Sequence, residues 1–177
     1  MKLALVPAML RPDLLAESVF AALQMWPMAV DVQVAQIDPE LADTAAFCEA
    51  YDVPLDASAN CVVVAGKRGA DVRYAACMVL ATTRADVNGV VRRHLDARKA
   101  SFASMDDAVS LTGMEYGGIT PVGLPADWPV LVDPAVLAAG DVVIGSGIRG
   151  SKLVLAGTAL AQLPAAVVLD GLSSPTR

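Results

Sequence analysis

The feature that most constrains the fold is a β-hairpin pattern over residues 61–80, CVVVAGKRGADVRYAACMVL. Two β-rich runs flank Gly66-Lys67-Arg68-Gly69, and a short glycine-containing loop between such runs predicts two antiparallel strands. Antiparallel strands can be joined by a tight turn, whereas parallel strands need a long crossover connection. The sheet around this hairpin is therefore predicted to be mostly antiparallel or mixed.

The rest of the sequence intersperses short helices with short strands. Helical spacing of apolar residues predicts helices at 13–26, 44–51, 84–95, 105–111 and just after Pro134. β-Favouring runs predict strands at 30–37, 100–103, 130–132, 141–144, 153–155 and 165–169. A length of 177 residues suits one domain with a sizeable core. We therefore predict a single α+β domain in which helices surround a mixed, mostly antiparallel sheet.

Positive charge is concentrated in one part of an otherwise acidic chain. The net charge of −6 argues against a general nucleic-acid coat, because such proteins rely on phosphate neutralisation. Residues 67–99 nevertheless have the composition of a local basic face, with eight Lys and Arg against three Asp. A solvated hairpin turn and helix face would have the same composition. The eight residues are Lys67, Arg68, Arg73, Arg84, Arg92, Arg93, Arg98 and Lys99.

The apolar runs and the cysteines indicate where in the cell the protein is located. No apolar run approaches the roughly 18 residues that a membrane-spanning helix needs, so no membrane partner is predicted. The three cysteines, Cys48, Cys61 and Cys77, lie in apolar surroundings and lack C-x-x-C spacing. Such thiols fit a reducing compartment, and we expect a cytoplasmic protein.

Residues 145–150, GSGIRG, match the pattern G-x-G-x-x-G, and Asp170 follows 20 residues later. A dinucleotide-binding fingerprint needs a helix directly after the glycines, so that the helix N-terminus meets the pyrophosphate. Residues 151–157 alternate like a strand instead. The pattern therefore predicts a glycine-rich hairpin that lines a pocket, and no nicotinamide or flavin cofactor.

Common catalytic groups are scarce in this sequence. His94 is the only histidine, no G-x-S-x-G nucleophile elbow occurs, and no ligand pair has zinc-site spacing. No metal or cofactor is predicted. If the protein is an enzyme, positioning and backbone donors must carry its chemistry. The pair Gly117-Gly118 in GMEYGGITPVG suits such chemistry, because the N–H groups of glycines can approach an oxyanion closely. A tight turn is the other explanation for two adjacent glycines.

Four stretches resemble, in order, the YbaK/EbsC family of aminoacyl-tRNA editing domains. They are SANCVVVAGKRG, DVNGVVRRHLDARKASFAS, TGMEYGGITPVGL and VVIGSGIRGSKLVL. The family includes free-standing prolyl-tRNA editing proteins and a domain of many bacterial prolyl-tRNA synthetases. The resemblance covers residues 40–172, and residues 1–39 form an N-terminal helix–strand extension within the single domain 1–177. It implies the fold of this prolyl-tRNA-synthetase-associated domain, with a curved, barrel-like sheet.

The resemblance also implies a reaction, the trans-acting hydrolysis of the ester between a wrong amino acid and the terminal ribose of a tRNA. Water placed by the 3′-end of the substrate would attack, and Gly117 and Gly118 would supply oxyanion and pocket contacts. The implied partners are the acceptor end of mischarged tRNA and an aminoacyl-tRNA synthetase. The implied substrate-binding residues are Asn60, Tyr116, the loop-shaping Thr120 and Pro121, the wall residues Ser146 and Gly147, and Lys99, for which a structural or backbone-contacting role is expected.

Two positions depart from the family pattern. Editing members usually carry a lysine where this chain has Asn60, and many carry an acidic residue where it has Lys152. One hypothesis is that Lys152 takes over anion binding across the pocket, with Asn60 as a neutral hydrogen-bond partner, which makes Lys152 a catalytic residue. The alternatives are a non-catalytic tRNA- or aminoacyl-binding module and a hydrolase for another acyl ester.

Overall fold

The computed structural model describes residues 1–176, which form a mixed α+β fold. The strands are β1 (Val6–Pro7), β2 (Gln33–Gln36), β3 (Ala59–Arg68), β4 (Asp71–Leu80), β5 (Thr83–Ala85), β6 (Lys99–Phe102), β7 (Val130–Val132), β8 (Asp141–Gly145), β9 (Ser151–Ala156), β10 (Ala166–Val168) and β11 (Ser173–Pro175). The α-helices are α1 (Glu17–Met25), α2 (Thr44–Tyr51), α3 (Arg92–His94), α4 (Met105–Thr112) and α5 (Pro134–Ala138).

The predicted hairpin is confirmed as the antiparallel pair β3–β4, but its turn lies further along the chain. Arg68 pairs with Asp71, so Gly69 and Ala70 form the turn, with Gly69 at a φ of +63°. Gly66 lies inside β3, and a Cβ there would come within 3.0 Å of Ala97. This glycine therefore permits close packing of the segment that follows α3 and does not make the turn.

The strands form three sheets. Their orders are β1-β2-β9-β8, β10-β7-β4-β3-β6 and β11-β5. Among the described strands, the parallel pairs are β7 with β4 and β7 with β10, and every other strand pair is antiparallel. The mixed, mostly antiparallel arrangement is confirmed. The strands do not join into one closed barrel, so the barrel-like shape that the resemblance implies is not confirmed.

The N-terminal residues contribute directly to the first sheet and to the main core. β2 lies beside β9, with Ala35 opposite Lys152. Val19 and Leu23 of α1 are almost completely buried in the largest apolar cluster, together with residues of β4, β7, β8 and β9. Residues 1–39 thus share a sheet and a core with the strand that carries Lys152.

Two helices and one strand differ from the sequence-based prediction. The helix predicted at 13–26 begins at Glu17, because Pro12–Leu14 form a 3₁₀ turn and Leu15 is extended. The helix predicted at 84–95 is divided, since β5 pairs with β11 before a π-helical turn at Val87–Val91 leads into α3. The strand predicted at 30–37 is shortened to β2 by a 3₁₀ helix at Pro27–Asp31.

In residues 1–176, every helix is too short or too polar to cross a bilayer.

Candidate functional site

A cavity of about 270 Å³ lies where the beginning of β3, the beginning of α2 and the strands β8 and β9 meet the Gly117 loop. Its polar lining side chains include Asp43, Thr44, Asn60 and Lys152, and most of the others are aliphatic or aromatic. The lining residues are Ala42, Asp43, Thr44, Phe47, Ser58, Ala59, Asn60, Cys61, Val62, Tyr116, Gly117, Ile119, Val143, Ile144, Gly145 and Lys152. Apolar walls with a few convergent polar groups are typical of binding sites for small ligands.

Lys152 extends from β9 into this cavity. Its Nζ donates to the carbonyl oxygen of Ala42 at 3.0 Å and to that of Gly117 at 3.4 Å. The same Nζ lies 5.2 Å from the centroid of the Phe47 ring, which is within cation–π range. An ammonium has three protons, so these two hydrogen bonds leave one proton for another acceptor.

The environment of Lys152 lowers the pKa of its ammonium. Desolvation by burial is the largest cause and the nearby Arg149 guanidinium adds to it, while Asp43 and Cys48 oppose the shift. Within residues 1–176, no carboxylate oxygen lies within 4.0 Å of Lys152 Nζ. A partly desolvated cation without a carboxylate partner favours binding of an anion or of a strongly polarised carbonyl oxygen.

Asn60, at the beginning of β3, lines the same cavity. Its Oδ1 accepts a hydrogen bond of 2.8 Å from Thr44 Oγ1 at the N-terminus of α2. The structure therefore brings together Asn60, Gly117 and Lys152, three of the residues that the sequence selected. Tyr116 joins them at the mouth of the cavity, where its side chain is 51% exposed.

The two central glycines differ in their surroundings. Gly117 lines the cavity with a φ of +84°, and a Cβ there would lie 2.5 Å from Arg149 Nη1. Gly118 does not line the cavity, and its N–H donates to the carbonyl oxygen of Glu115 at 2.9 Å. A Cβ at Gly118 would lie 2.5 Å from the carbonyl oxygen of Ile148. The oxyanion role predicted for Gly118 is therefore not supported, and close backbone packing explains this glycine.

Ser146 and Gly147 hold the neighbouring turn in place and do not line the cavity. Ser146 Oγ is fully buried and forms a 2.7 Å hydrogen bond with Ser151 Oγ, which also lies 2.5 Å from the carbonyl oxygen of Leu14. A Cβ at Gly147 would collide with Ala16 in the N-terminal segment. Both residues were predicted to contact substrate, but each packs instead against residues 14–16.

Three further predicted residues also lie outside the cavity lining. Thr120 is fully buried and its Oγ1 has no hydrogen-bond partner within residues 1–176. Pro121 lines a second, largely apolar cavity of about 490 Å³. Lys99 is exposed at the beginning of β6, opposite Lys67 near the far end of β3. Direct contact of Lys99 with an ester in the cavity is therefore not supported.

Arg149 is a site residue that the sequence analysis did not single out. Its guanidinium donates to the carbonyl oxygens of Tyr116 at 3.0 Å and Pro39 at 3.1 Å, and lies 3.8 Å from a carboxylate oxygen of Asp43. Its backbone N–H donates to Glu115 Oε2 at 2.6 Å. Arg149 thereby joins the Gly117 loop to the segment before α2. Its place in GSGIRG, one of the stretches that carries the resemblance, was a signal that could have identified it.

In the described part of the chain, we find no evident cysteine nucleophile, metal site or dinucleotide site. Cys61 lines the cavity, but burial strongly raises the pKa of its thiol, so the nucleophilic thiolate is disfavoured. Within residues 1–176, no three His, Cys, Asp or Glu side chains are grouped as metal ligands. The glycines of residues 145–150 lead into strand β9, and therefore the helix of a dinucleotide fingerprint is not formed.

Comparison with known protein families decides the classification. The sequence model described as an aminoacyl-tRNA editing domain matches residues 38–163. The chain belongs to this aminoacyl-tRNA editing domain family. The predicted resemblance is thus confirmed, and membership supports an editing function for this editing-domain protein. No curated protein sequence matches the chain significantly.

Solved structures support the fold of the editing domain. Hypothetical protein APE2540 is 20% identical, with a TM-score of 0.76 over 89% of this chain and 100% of its own. A candidate trans-editing enzyme for prolyl tRNA synthetase is 21% identical, with a TM-score of 0.73 over 88% of this chain and 94% of its own. The 89% coverage requires that part of residues 1–39 also has a counterpart in the first of these structures.

Proposed function

We propose that this protein is a trans-acting deacylase that hydrolyses the aminoacyl ester of mischarged tRNA. The observation that carries the proposal is the position of Lys152, whose ammonium lies inside the cavity and 3.4 Å from the carbonyl oxygen of Gly117. A cation at this point can stabilise the negative charge that develops on an ester carbonyl oxygen during hydrolysis. Membership in the editing-domain family supports the substrate class.

In the proposed reaction, water attacks the carbonyl carbon of the ester. The negative charge of the resulting tetrahedral intermediate develops on the former carbonyl oxygen, beside the free proton of the Lys152 ammonium. Collapse breaks the bond between the carbonyl carbon and the ribose oxygen. The proton lost by water passes through the neighbouring ribose hydroxyl to the departing oxygen, which leaves a free amino acid and an intact tRNA end.

The surroundings of the cavity support water as the nucleophile. Ser58 is buried in the lining, and its neighbour Cys48 is held in its thiol form because burial raises the pKa. A serine nucleophile needs an adjacent base, and His94 lies in a separate cleft beside Tyr74. Positioning of the ester against fixed donors is therefore the chemistry that these residues can best provide.

Charge also favours one orientation of the aminoacyl group. The α-amino group of the substrate is a cation at neutral pH and is repelled by Lys152. Asp43 is the carboxylate that lines the cavity, at the N-terminus of α2. We therefore orient the α-amino group toward Asp43 and the carbonyl oxygen toward Lys152. The exposed ring of Tyr116 at the mouth provides a surface on which the terminal base of the tRNA can stack.

The test is the release of labelled amino acid from a panel of mischarged tRNAs, beginning with alanyl- and cysteinyl-tRNA(Pro). We expect turnover by the native protein and a loss of about 100-fold in kcat for Lys152→Ala, the size expected when one oxyanion donor is removed. Lys2→Ala, which removes an exposed lysine from the N-terminal segment, is the matched control and should leave kcat unchanged. Unchanged deacylation and tRNA affinity in Lys152→Ala would exclude the proposed role.

One observation favours the alternative of a non-catalytic tRNA- or aminoacyl-binding module. Two protons of the Lys152 ammonium and the N–H of Gly118 already donate to backbone carbonyls. A module of this kind would bind charged tRNA without releasing its amino acid. Measurements of binding and turnover on the same tRNA panel therefore separate the two functions. Rapid hydrolysis of small esters, without dependence on tRNA, would identify a hydrolase for another acyl ester instead.

A further inference from the structure

The charge of this chain is divided more sharply than its net value of −6 indicates. Residues 67–99 contain eight Lys and Arg against three Asp, whereas the rest contains five Lys and Arg against sixteen Asp and Glu. The segment therefore carries a formal charge of +5 and the remainder a charge of −11. A separation of this size produces a local field that favours an anionic partner on one part of the surface.

The fold brings most of these basic residues to one end of the molecule. The tip of the β3–β4 hairpin meets the end of α3 and the beginning of β6. Arg68 forms an ion pair with Asp96, Arg73 donates to the carbonyl oxygen of Leu95 at 3.3 Å, and the backbone N–H of Arg98 donates to the carbonyl oxygen of Lys67 at 2.9 Å. We call this surface the basic end. It comprises Lys67, Arg68, Arg73, Arg93, Arg98 and Lys99.

Lys67 and Lys99 form an unfavourable pair within the basic end. They are directly opposite each other on the antiparallel strands β3 and β6, and both are exposed. Like charges at such positions destabilise a sheet. Within residues 1–176, neither ammonium lies within 4.0 Å of a carboxylate oxygen. Binding of a polyanion across this pair would relieve the repulsion.

The distance between the basic end and the cavity indicates which polyanion fits. Asn60 lies in the cavity and Lys67 is seven residues further along β3. With a rise of about 3.3 Å per residue, the two are about 23 Å apart. An aminoacylated tRNA end is single-stranded for a few nucleotides before its duplex stem begins, so its phosphates extend away from the ester over such a distance.

We infer that the basic end binds the phosphate backbone of a tRNA acceptor stem while the cavity takes the aminoacylated 3′-end. This inference rests on the proposed function, because the cavity fixes the position of the 3′-end. The contacts are to phosphates and carry no sequence information, so they increase affinity for tRNA duplex in general. Lys67 and Lys99 are the central contacts.

The first test measures binding of uncharged tRNA as a function of salt concentration, and so does not depend on turnover. Replacement of both lysines, K67Q/K99Q, should weaken binding about 10-fold at low salt and reduce the slope of log affinity against log salt by about 2. The control Lys2→Gln should change neither quantity. Equal affinity and slope in K67Q/K99Q and the native protein would overturn the inference.

The second test compares deacylation of full-length mischarged tRNA with that of a short aminoacylated oligonucleotide that has the same 3′-end and no stem. K67Q/K99Q should lower kcat/KM about 10-fold on the tRNA and leave the oligonucleotide unaffected. An equal loss on both substrates would contradict a role in stem binding. A lack of turnover by the native protein on either substrate would instead contradict the proposed function, and the binding test would still decide the inference.

Discussion

The ammonium of Lys152 lies 3.4 Å from the carbonyl oxygen of Gly117, although the two residues are 35 positions apart in the sequence. This contact places a cation from β9 beside the glycine-rich loop, in the cavity that Asn60 of β3 also lines. The resemblance implies a lysine at the position of Asn60, so the contact supports the hypothesis that β9 supplies the cation of this site instead of β3. Burial at this point lowers the pKa of the Lys152 ammonium, which gives the lysine a measurable signature in pH dependence.

The pH dependence of deacylation should reflect the lowered pKa of Lys152. Burial favours the neutral amine, so the cation that stabilises the oxyanion is lost as pH rises, below the usual lysine value of about 10.4. We expect kcat, corrected for uncatalysed hydrolysis, to fall on the alkaline side below that value. Lys152→Arg keeps its charge at every accessible pH and should lack this fall. A fall of the same shape in Lys152→Arg would assign it to another group.

The same shift links folding stability to pH with a definite sign. A lysine whose pKa is lower in the folded state binds fewer protons there than in the unfolded state, over the pH range between the two values. The contribution of Lys152 to the free energy of unfolding should therefore rise with pH in that range, whereas the buried thiols of Cys61 and Cys77, whose pKa values are raised, contribute in the opposite direction. In denaturant titrations, the free energy of unfolding of the native protein minus that of Lys152→Met should rise with pH. A difference that stays constant with pH would contradict the assignment to Lys152.

The exposed ring of Tyr116 should contribute to binding of the terminal base. Tyr116→Ala should lower kcat/KM by roughly 10-fold or more, because stacking of one base is worth about 1–3 kcal/mol. Tyr116→Phe should retain most of the activity. The effect should disappear on a tRNA that lacks its terminal base but carries the same aminoacyl ester. A loss that persists on this substrate would mean that Tyr116 acts on the ester or on the loop.

The buried hydroxyl of Ser151 should stabilise the fold. It interacts with Ser146 Oγ and with the carbonyl oxygen of Leu14, and thus connects the turn before β9 to the N-terminal segment. Ser151→Ala removes the hydroxyl that donates to the carbonyl oxygen of Leu14, while Ser146 Oγ keeps its hydrogen bonds to the backbone carbonyls of Ile148 and residue 151. The free energy of unfolding should fall by about 1–3 kcal/mol, the cost of a buried acceptor that loses its donor. Ser110→Ala removes an exposed hydroxyl of α4 and is the control, with an expected change near zero. Equal denaturation midpoints for the two variants would contradict this role.

Lys99→Glu should stabilise the free protein and weaken tRNA binding. The substitution replaces a like-charge pair with Lys67 by an opposite-charge pair, which should add about 0.5 kcal/mol to the free energy of unfolding. The same change introduces a negative charge into the basic end and should weaken tRNA binding more than Lys99→Gln does. Chemical denaturation and tRNA titration on one preparation give both quantities. Stabilisation of the free protein without weaker tRNA binding would show that Lys99 does not contact tRNA.

Local sequence patterns correctly predicted the helices and strands that are determined by residues within the same segment. The helix at 44–51 and the strand at 130–132 have the predicted bounds, and the β3–β4 hairpin is present with its turn shifted. The helix predicted at 84–95 is helical only over 87–94, because its first residues belong to β5, which pairs with β11 about 90 residues away in sequence. Pairing over that distance leaves no local periodicity, so helical spacing alone placed the start of the helix too early.

The candidate site was predicted in part, for a similar reason. The resemblance selected Asn60, Gly117 and Lys152, and the fold brings them to one cavity. Gly118 was selected for its bare N–H and Gly147 as a wall residue that the resemblance implies, but the space beside each is filled, by Ile148 and by Ala16 respectively. Sequence reveals that a position lacks a side chain but not which neighbour occupies the vacant volume.

The mutual packing of the two glycine loops sets a limit on how the protein can be redesigned. Gly145 faces the carbonyl oxygens of Gly118 and Ile119, while Gly118 faces the backbone of Ile148. A side chain at either glycine would therefore collide with the backbone of the other loop. Libraries that aim to change substrate choice should leave these glycines untouched. They should diversify the side chains that enter the cavity from outside the two loops, such as Thr44, Asn60 and Val143.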